Sequence, residues 1–397
     1  MLGHTSLRAK SALRGTSLLD PLNLLAFLTV LALIGGSLLM QADAVFYKGG
    51  DSYERQTIWI VIGGTFFVLA AFVDLRLAER GAYFFYAVCV LLLILTLFIG
   101  THTNRDNSTR WLSFGAMKLQ PSEFAKLAVT LALARYLHNR KERSPGDSES
   151  RHSGKYDLRG LVKPLGLVLV PVPLILVQPD LGTALMILVI AGTMLAIEGI
   201  KRKAAIVLVL GTLVATPVAW KTGLIKDYQK DRVFKLIDQD WEKVNPDTGE
   251  VITRRLTQGE LGMIAIGTGG LTGQGHRAAN PVRMSKLPEV QTDFISAMIG
   301  EEFGFVGLLV ALFLFWWLVM WSLRTALDAR SRFCRLVCVG VGALFGWQVF
   351  VNIGMVSGIL PVVGVPLPFL SYGGSATMAG LISLGLVFNI ALKRGRL

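Results

Sequence analysis

Acids at the edges of apolar runs are the first residues in this chain able to do chemistry. Asp293 follows Thr292 where a long polar stretch, Lys221 to Gln291, gives way to apolar sequence. A carboxylate entering an apolar phase is costly, so it marks either a helix cap or a working group. As a cap or first-turn acid, it would face the positive end of a helix. As a working group, it would be a general base at a membrane–water boundary. Glu301 and Glu302 follow one to two turns deeper in the same apolar run. Two acids there need partners, and a buried network tying helices together competes with a catalytic role.

Other constellations carry the same double reading. Glu123 and Lys126 stand three apart on one helical face, after Pro121 and Ser122, which suit a helix start. They form either a structural ion pair or a pair that leaves a lysine facing a ligand phosphate. Asp180 lies in the turn Gln178-Pro179-Asp180-Leu181-Gly182-Thr183 and either caps the next helix or faces a central cavity. Arg105, Arg110 and Lys118 lie against Asp106 alone between Thr101 and Pro121. That excess of cations is either noise in a charge bias or a patch for an anionic ligand. Trp111 is either an interfacial anchor or a stacking platform for a sugar. The glycine run Gly262, Gly267, Gly269, Gly270, Gly273, Gly275 lacks the Lys-Ser/Thr of a phosphate-binding Walker loop and has no βαβ context. It reads as a flexible loop, or as backbone N–H groups offered to a phosphate.

These residues need elements to hold them, and the composition says which. Of 397 residues, 52% are hydrophobic and 17% charged, against about 25% charged in a soluble domain. The chain reads as one all-α polytopic membrane domain over 1–397. Ten spans are expected: Leu22–Met40, Thr57–Val73, Tyr83–Gly100, Glu123–His138, Pro164–Val177, Leu181–Gly199, Ala204–Trp220, Asp293–Leu323, Phe333–Ile359 and Ser375–Leu392. The fourth is short and weak; the eighth and ninth are long enough to require tilt or projection. The first apolar run reads as a retained span, because no small-residue cleavage site follows it. Cys89, Cys334 and Cys338 read as small packing residues, with no disulfide or zinc site expected.

The formal charge of +13 reflects loop bias and anionic headgroups, not nucleic acid. Lys and Arg cluster at Arg8–Arg14, Arg76–Arg80, Arg140–Arg159, Lys201–Lys203, Arg324–Arg332 and Lys393–Arg396, which puts that side and both termini in the cytoplasm. The linker 139–163 is then cytoplasmic. The loop 221–291 is extracytoplasmic, since loops beyond about 60 residues escape the charge rule. Pro361, Pro366, Pro368, Gly373 and Gly374 make an uncharged, re-entrant last outer loop. The set describes an outer-face cavity with acids, cations and an aromatic, open sideways to lipid. A lipid carrying phosphate and sugar is its natural ligand.

Several segments, in order, are similar to the signatures of the SEDS family (shape, elongation, division and sporulation). They are Arg110-Trp111-Leu112, Gln120-Pro121-Ser122-Glu123 with Lys126, Gln178 to Thr183, Ala265-Ile266-Gly267 with Gly269-Gly270, and Leu287-Pro288-Glu289 with Thr292-Asp293-Phe294. Asn352 to Pro361, Pro366 to Phe369 and Ser371 to Ser375 complete the set. Met355 to Gly358 and Asp227-Tyr228-Gln229 look more like the elongation (RodA) branch than the division (FtsW) branch. Gln291 departs from the pattern, which usually has His there.

The resemblance implies polymerisation of lipid II, an undecaprenyl diphosphate-linked disaccharide peptide, on the outer face of the bacterial inner membrane. It implies Asp293 as the motif acid, with Arg110, Trp111, Glu123 and Lys126 as further site residues. Asp180 matches a motif position of less defined role, and Lys118 joins the list from the basic loop. An α-linked donor becoming a β-1,4 bond inverts in one displacement, and one general base suffices; Asp293 is the candidate. Arg110, Lys126 and a divalent cation (Mg2+ or Mn2+) are candidates to stabilise the leaving diphosphate. The implied partners are a class B penicillin-binding protein supplying transpeptidase activity and other proteins of the elongation complex. A lipid II flippase and a scaffold for a partner synthase are the rival classes.

Overall fold

The computed structural model describes residues 20–103, 108–115, 117–142, 158–201, 203–204, 206–207, 242–244, 251–253, 257–280, 284, 287 and 290–393. The expected span Ala204–Trp220 lies almost wholly outside them. So do Arg105, Asp106, the segment Asp227-Tyr228-Gln229, most of the linker 139–163 and most of the loop 221–291.

The helices in chain order are α1 (Pro21–Lys48), α2 (Ser52–Phe72), α3 (Leu75–Ile99), α4 (Pro121–Glu142), α5 (Leu158–Leu169), α6 (Pro171–Val177), α7 (Leu181–Glu198), α8 (Gln258–Gly269), α9 (Ile295–Asp328), α10 (Arg332–Val356) and α11 (Gly374–Leu392). Among the described residues, eight segments are long and apolar enough to cross a membrane, with α5 and α6 together making one of them. Acids placed just before apolar runs start several helices. Asp20 Oδ1 accepts the Leu22 N–H at 3.3 Å and Asp74 Oδ1 the Arg76 N–H at 3.0 Å, satisfying donors that a helix start leaves orphaned.

The bundle is built around α10 and α11, whose spanning windows are 72% and 83% buried, against 22% for α2 and α3. On the outer helices, large apolar side chains such as Phe84 and Phe98 point away from protein, as a lipid-facing surface requires. Small residues let the central helices approach. A methyl group at Gly385 of α11 would stand 2.5 Å from the Phe67 carbonyl oxygen of α2, so glycine is what permits that contact.

Four expectations change. The weak fourth span is a helix of 22 residues, nearly all of it buried on the described positions; its polar residues face protein, which lowers its apolar signal without removing it from the bundle. The fifth span is interrupted at Val170, where Pro171 cannot donate to the ladder. The first half of the glycine run is a helix, α8, started by a Thr257–Glu260 capping box. Its glycines serve close packing: a methyl at Gly269 would stand 1.8 Å from the Gly300 carbonyl oxygen. Finally, α9 does not run straight through its 34 residues but breaks at Gly304, with φ 68°.

The break is repaired by the segment after α8. Phe305 and Val306 N–H groups donate to the Gly270 and Leu271 carbonyls at 2.9 and 3.1 Å. Gln274 and Gly275 N–H groups donate to the Glu301 and Glu302 carbonyls at 2.9 and 3.0 Å. Backbone leaving a helix inside an apolar bundle must find such partners. Gly304→Ala would place its methyl 2.3 Å from the Gly273 nitrogen in a left-handed conformation. We expect it to cost about 2 kcal/mol or more, read as a lower melting temperature of the purified protein in detergent.

Candidate active site

Several helix ends and the last loop converge at one end of the bundle, where Asn352 of α10 joins the entry of α9 to that loop. Asn352 is fully buried. Its Nδ2 donates to the Asp293 carbonyl at 2.9 Å and the Val365 carbonyl at 2.8 Å, and its Oδ1 accepts the Ser296 hydroxyl at 2.9 Å. One amide thus ties the entry of α9 to the loop between α10 and α11. Gln41 of α1 adds donations to the Gln291 and Leu370 carbonyls, each at 3.3 Å. The Tyr372 N–H donates to the Gln291 carbonyl at 2.7 Å. Gln56 of α2 reaches the Thr377 hydroxyl at 3.1 Å and accepts the Gly373 N–H at 3.3 Å. Burial raises the Tyr372 phenol above its ordinary pKa, with Arg55 opposing.

Asp293 is half-buried and stands one residue before Phe294, which holds the N-cap position of α9. The acid is therefore neither the N-cap nor a first-turn residue. Beside its carboxylate lies Gly364, where an added methyl would stand 3.3 Å from Asp293 Oδ2. On the other side of the same loop, a methyl at Gly182 of α7 would stand 2.7 Å from the Val363 carbonyl oxygen. The glycines bring the 178–183 turn, the 363–365 loop and Asp293 into one layer.

Asp180 caps α7: Oδ1 accepts the Thr183 N–H at 3.1 Å. Its Oδ2 accepts the Gln120 amide at 3.0 Å and the Ser122 hydroxyl at 3.1 Å. The capping half of its double reading holds, and the same acid joins the turn to the start of α4. The Gln120 N–H donates to Ser375 Oγ at 2.8 Å, linking α4 to α11. Arg110 donates to the Gln178 carbonyl at 3.0 Å and to the Pro179 carbonyl, so its guanidinium orders this turn.

Glu123 and Lys126 form a pair at 2.8 Å, 5% and 3% exposed. They line a small cavity together with Gln348, Pro366, Phe369 and Thr377. Phe369 is left-handed, with φ 62°, and is held there by its ring against Phe345 at 5.5 Å between centroids. Strained backbone of this kind persists only where packing over-determines it.

The basic loop folds into a small antiparallel sheet, β1 (Thr101–Thr103), β2 (Ser108–Phe114) and β3 (Met117–Leu119). Neighbours on a strand face opposite ways, so Arg110 and Trp111 separate. Leu112, on the Arg110 face, is buried, while Ser113 and its cross-strand partner Lys118, on the Trp111 face, are exposed. Arg110 thus joins the Asp180 cluster, and Trp111 and Lys118 share the sheet's outer face. Glu301 and Glu302 belong to a separate buried network: Glu301 Oε1 accepts the Asn280 N–H at 2.9 Å, and Glu302 Oε1 accepts the Tyr47 hydroxyl at 2.7 Å.

Sequence reasoning passed over Gln41, Gln56 and Asn352 as working residues. Their signal was available: Asn352 is an amide inside an apolar span, and Gln41 and Gln56 stand at the edges of two others, where such a group must find a partner.

The sequence model of the FtsW, RodA and SpoVE proteins, described as cell cycle protein, matches residues 17–395. Peptidoglycan glycosyltransferase MrdB of Escherichia coli K12 is 34% identical over 369 residues, covering 92% of this chain and 93% of that protein. Stage V sporulation protein E of Bacillus subtilis 168 is 33% identical, covering 93% and 96%. Among solved structures, a chain of a peptidoglycan synthase complex coordinating polymerisation and crosslinking superposes with a TM-score of 0.73 at 28% identity, covering 94% of this chain and 98% of that one. The crystal structure of Thermus thermophilus rod shape determining protein RodA gives 0.64 at 27% identity, covering 93% and 96%.

Removing the Asn352 amide tests the geometry. Asn352→Ala should lower stability by about 2–3 kcal/mol, because the Asp293 and Val365 carbonyls and the Ser296 hydroxyl lose their partner in a buried site. Asn352→Asp should do similar damage by removing the donor alone. Thermal melting of both variants checks this.

Proposed function

The chain belongs to the FtsW/RodA/SpoVE (SEDS) family and is a peptidoglycan glycosyltransferase, and we propose that it polymerises lipid II with Asp293 as general base. The observation that carries this reading is the layer at one end of the bundle. It places Asp293 against a loop, residues 363–371, that also walls the buried Glu123–Lys126 pair. A base and a cation then flank one strip of backbone, as a displacement at an anomeric carbon requires.

In the reaction, Asp293 takes the proton of the acceptor 4-hydroxyl as that oxygen attacks the anomeric carbon of the donor. The bond to the polyprenyl diphosphate breaks on the opposite face, so the centre inverts. Lys126 stabilises the departing charge in a site from which water is largely excluded, and Glu123 keeps it oriented before substrate arrives. Arg110 and Asp180 act on the 178–183 turn, which packs on the other side of the Val363–Val365 loop. Trp111 and Lys118 offer a sugar-stacking surface and a phosphate contact on the sheet. The carboxylates of this layer do not make a metal cage: Asp180 already accepts three hydrogen bonds and Glu123 pairs with Lys126. No step is therefore routed through a divalent cation.

The face carrying this layer is extracytoplasmic in our reading, consistent with the charge bias of the opposite loops. The role is in elongation and rod-shape maintenance, supported by the MrdB and RodA relatives. A class B penicillin-binding protein is the proposed partner, supported by the likeness to a chain of a peptidoglycan synthase complex.

Purified protein with its partner and lipid II should form glycan strands. Asp293→Ala and Asp293→Asn should lower the rate at least about 100-fold, the scale of general-base loss, with melting temperatures near that of wild type. Lys126→Met should lose about 100-fold or more. Strands at the wild-type rate from Asp293→Ala would sink the assignment. Lipid II translocation without polymer from the wild-type protein would point to the flippase instead.

A further inference from the structure

A second cluster lies where α1, the segment after α8 and the first half of α9 meet. Asp43 and Glu302 have fully buried side chains there, and His276 is 46% exposed. One oxygen of each acid is already anchored. Asp43 Oδ1 accepts Arg277 Nε at 2.8 Å. Glu302 Oε1 accepts the Tyr47 hydroxyl at 2.7 Å, and that hydroxyl oxygen accepts the Ala279 N–H at 3.0 Å. The other two oxygens, Asp43 Oδ2 and Glu302 Oε2, accept no hydrogen bond among the described residues. Both face His276 Nδ1, at 3.2 and 4.0 Å, and the three atoms lie within 4.8 Å of one another.

Two buried carboxylate oxygens turned toward one imidazole are expensive unless positive charge sits between them, as a bound cation or a proton. Ligands about 2.1 Å from a tetrahedral cation stand about 3.4 Å apart, between the 3.2 and 4.0 Å that separate His276 Nδ1 from the two oxygens. One imidazole and two carboxylates suit Zn2+ or Mn2+ better than Mg2+ or Ca2+, which take oxygen alone. The anchored second oxygens are what orient ligating carboxylates in metal sites. The exposed edge of His276 supplies an entry path. Arg277 is held in the left-handed region, φ 56°, a conformation that lets two consecutive side chains, His276 and Arg277, both reach Asp43.

We propose that Asp43, His276 and Glu302 bind one divalent transition-metal cation, Zn2+ or Mn2+, which fastens α1, the 270–280 segment and the first half of α9. Glu302 lies seven residues past Ile295, about 10 Å of helix rise, so the cation is separate from Asp293. It secures the segment that repairs the break at Gly304 and is not part of the transfer chemistry.

The test uses the tag-free full chain in detergent, stripped with chelator and titrated with ZnCl2, MnCl2 or MgCl2. Calorimetry and elemental analysis should find one Zn2+ or Mn2+ per chain, with Mg2+ weaker. A hundredfold excess over Kd should raise the melting temperature by about 3 °C. His276→Ala, at an exposed position, and Glu302→Gln should each weaken binding at least about tenfold and abolish the thermal shift. Asp293→Ala should bind as wild type does, which separates this result from the fate of the catalytic proposal. Wild-type protein without a stoichiometric cation, or equal binding by His276→Ala and Glu302→Gln, overturns the site and leaves a proton shared by the two carboxyls.

Discussion

Everything at the working end of this protein depends on satisfying backbone that has left its helix inside an apolar bundle. In water such groups would be solvated; in lipid each unanswered one costs several kcal/mol. The protein answers with fully buried side-chain amides on α1, α2 and α10. Asn352, Gln41 and Gln56 hold the carbonyls and N–H groups of residues 291–293 and 365–373. A loop secured in this way can be irregular and still hold position, which a site that orients an acid requires. The break at Gly304 follows the same rule with backbone partners in place of side chains.

Charge is handled in a parallel way. The acids of the described core do not float in apolar surroundings; each is committed. Asp180 takes three donors at the start of α7, and Glu123 takes Lys126. Asp43 takes Arg277, and Glu302 takes Tyr47. Breaking such a pair strands a buried charge and is far more damaging than the pair is stabilising. The groups we propose for the reaction stand beside these pairs: Asp293 is half-buried at the rim of the layer, and Lys126 lines the cavity. Glycine does the spatial part of this work at Gly182 and Gly364, where any larger residue would push the 363–365 loop off its neighbours.

The helical membrane fold was readable from the chain because lipid imposes a length and a polarity on any span, whatever its neighbours. Span edges for α7 and α11 come within one residue of the helices for that reason, whereas α3 begins at Leu75, well before the expected Tyr83. The fourth span looked weak because its polar residues face protein, and single-sequence hydropathy cannot tell a protein-facing side chain from a lipid-facing one. The glycine run looked like a loop because glycine is a poor helix former; packing of Gly262 and Gly269 against α9 overrides that preference. The candidate residues themselves were legible as residue types at unusual depth, and the family motifs ordered them.

What the sequence determined by itself was local: which stretches span, where acids precede helices, and which residues carry charge into apolar surroundings. It also placed Arg110 beside Trp111, and Glu301 beside Glu302, as neighbours in the chain. Tertiary structure decided what these neighbours do. A strand turns Arg110 and Trp111 to opposite faces, sending one to the 178–179 carbonyls and leaving the other on the outer face of the sheet. Helix α9 sends Glu302 toward Asp43 and His276, residues more than two hundred positions apart along the chain at the extreme, and Gly364 sets Asp293 beside the loop that walls Lys126. No propensity or spacing encodes those meetings, because they arise only when distant helices pack and their buried polar groups must find one another.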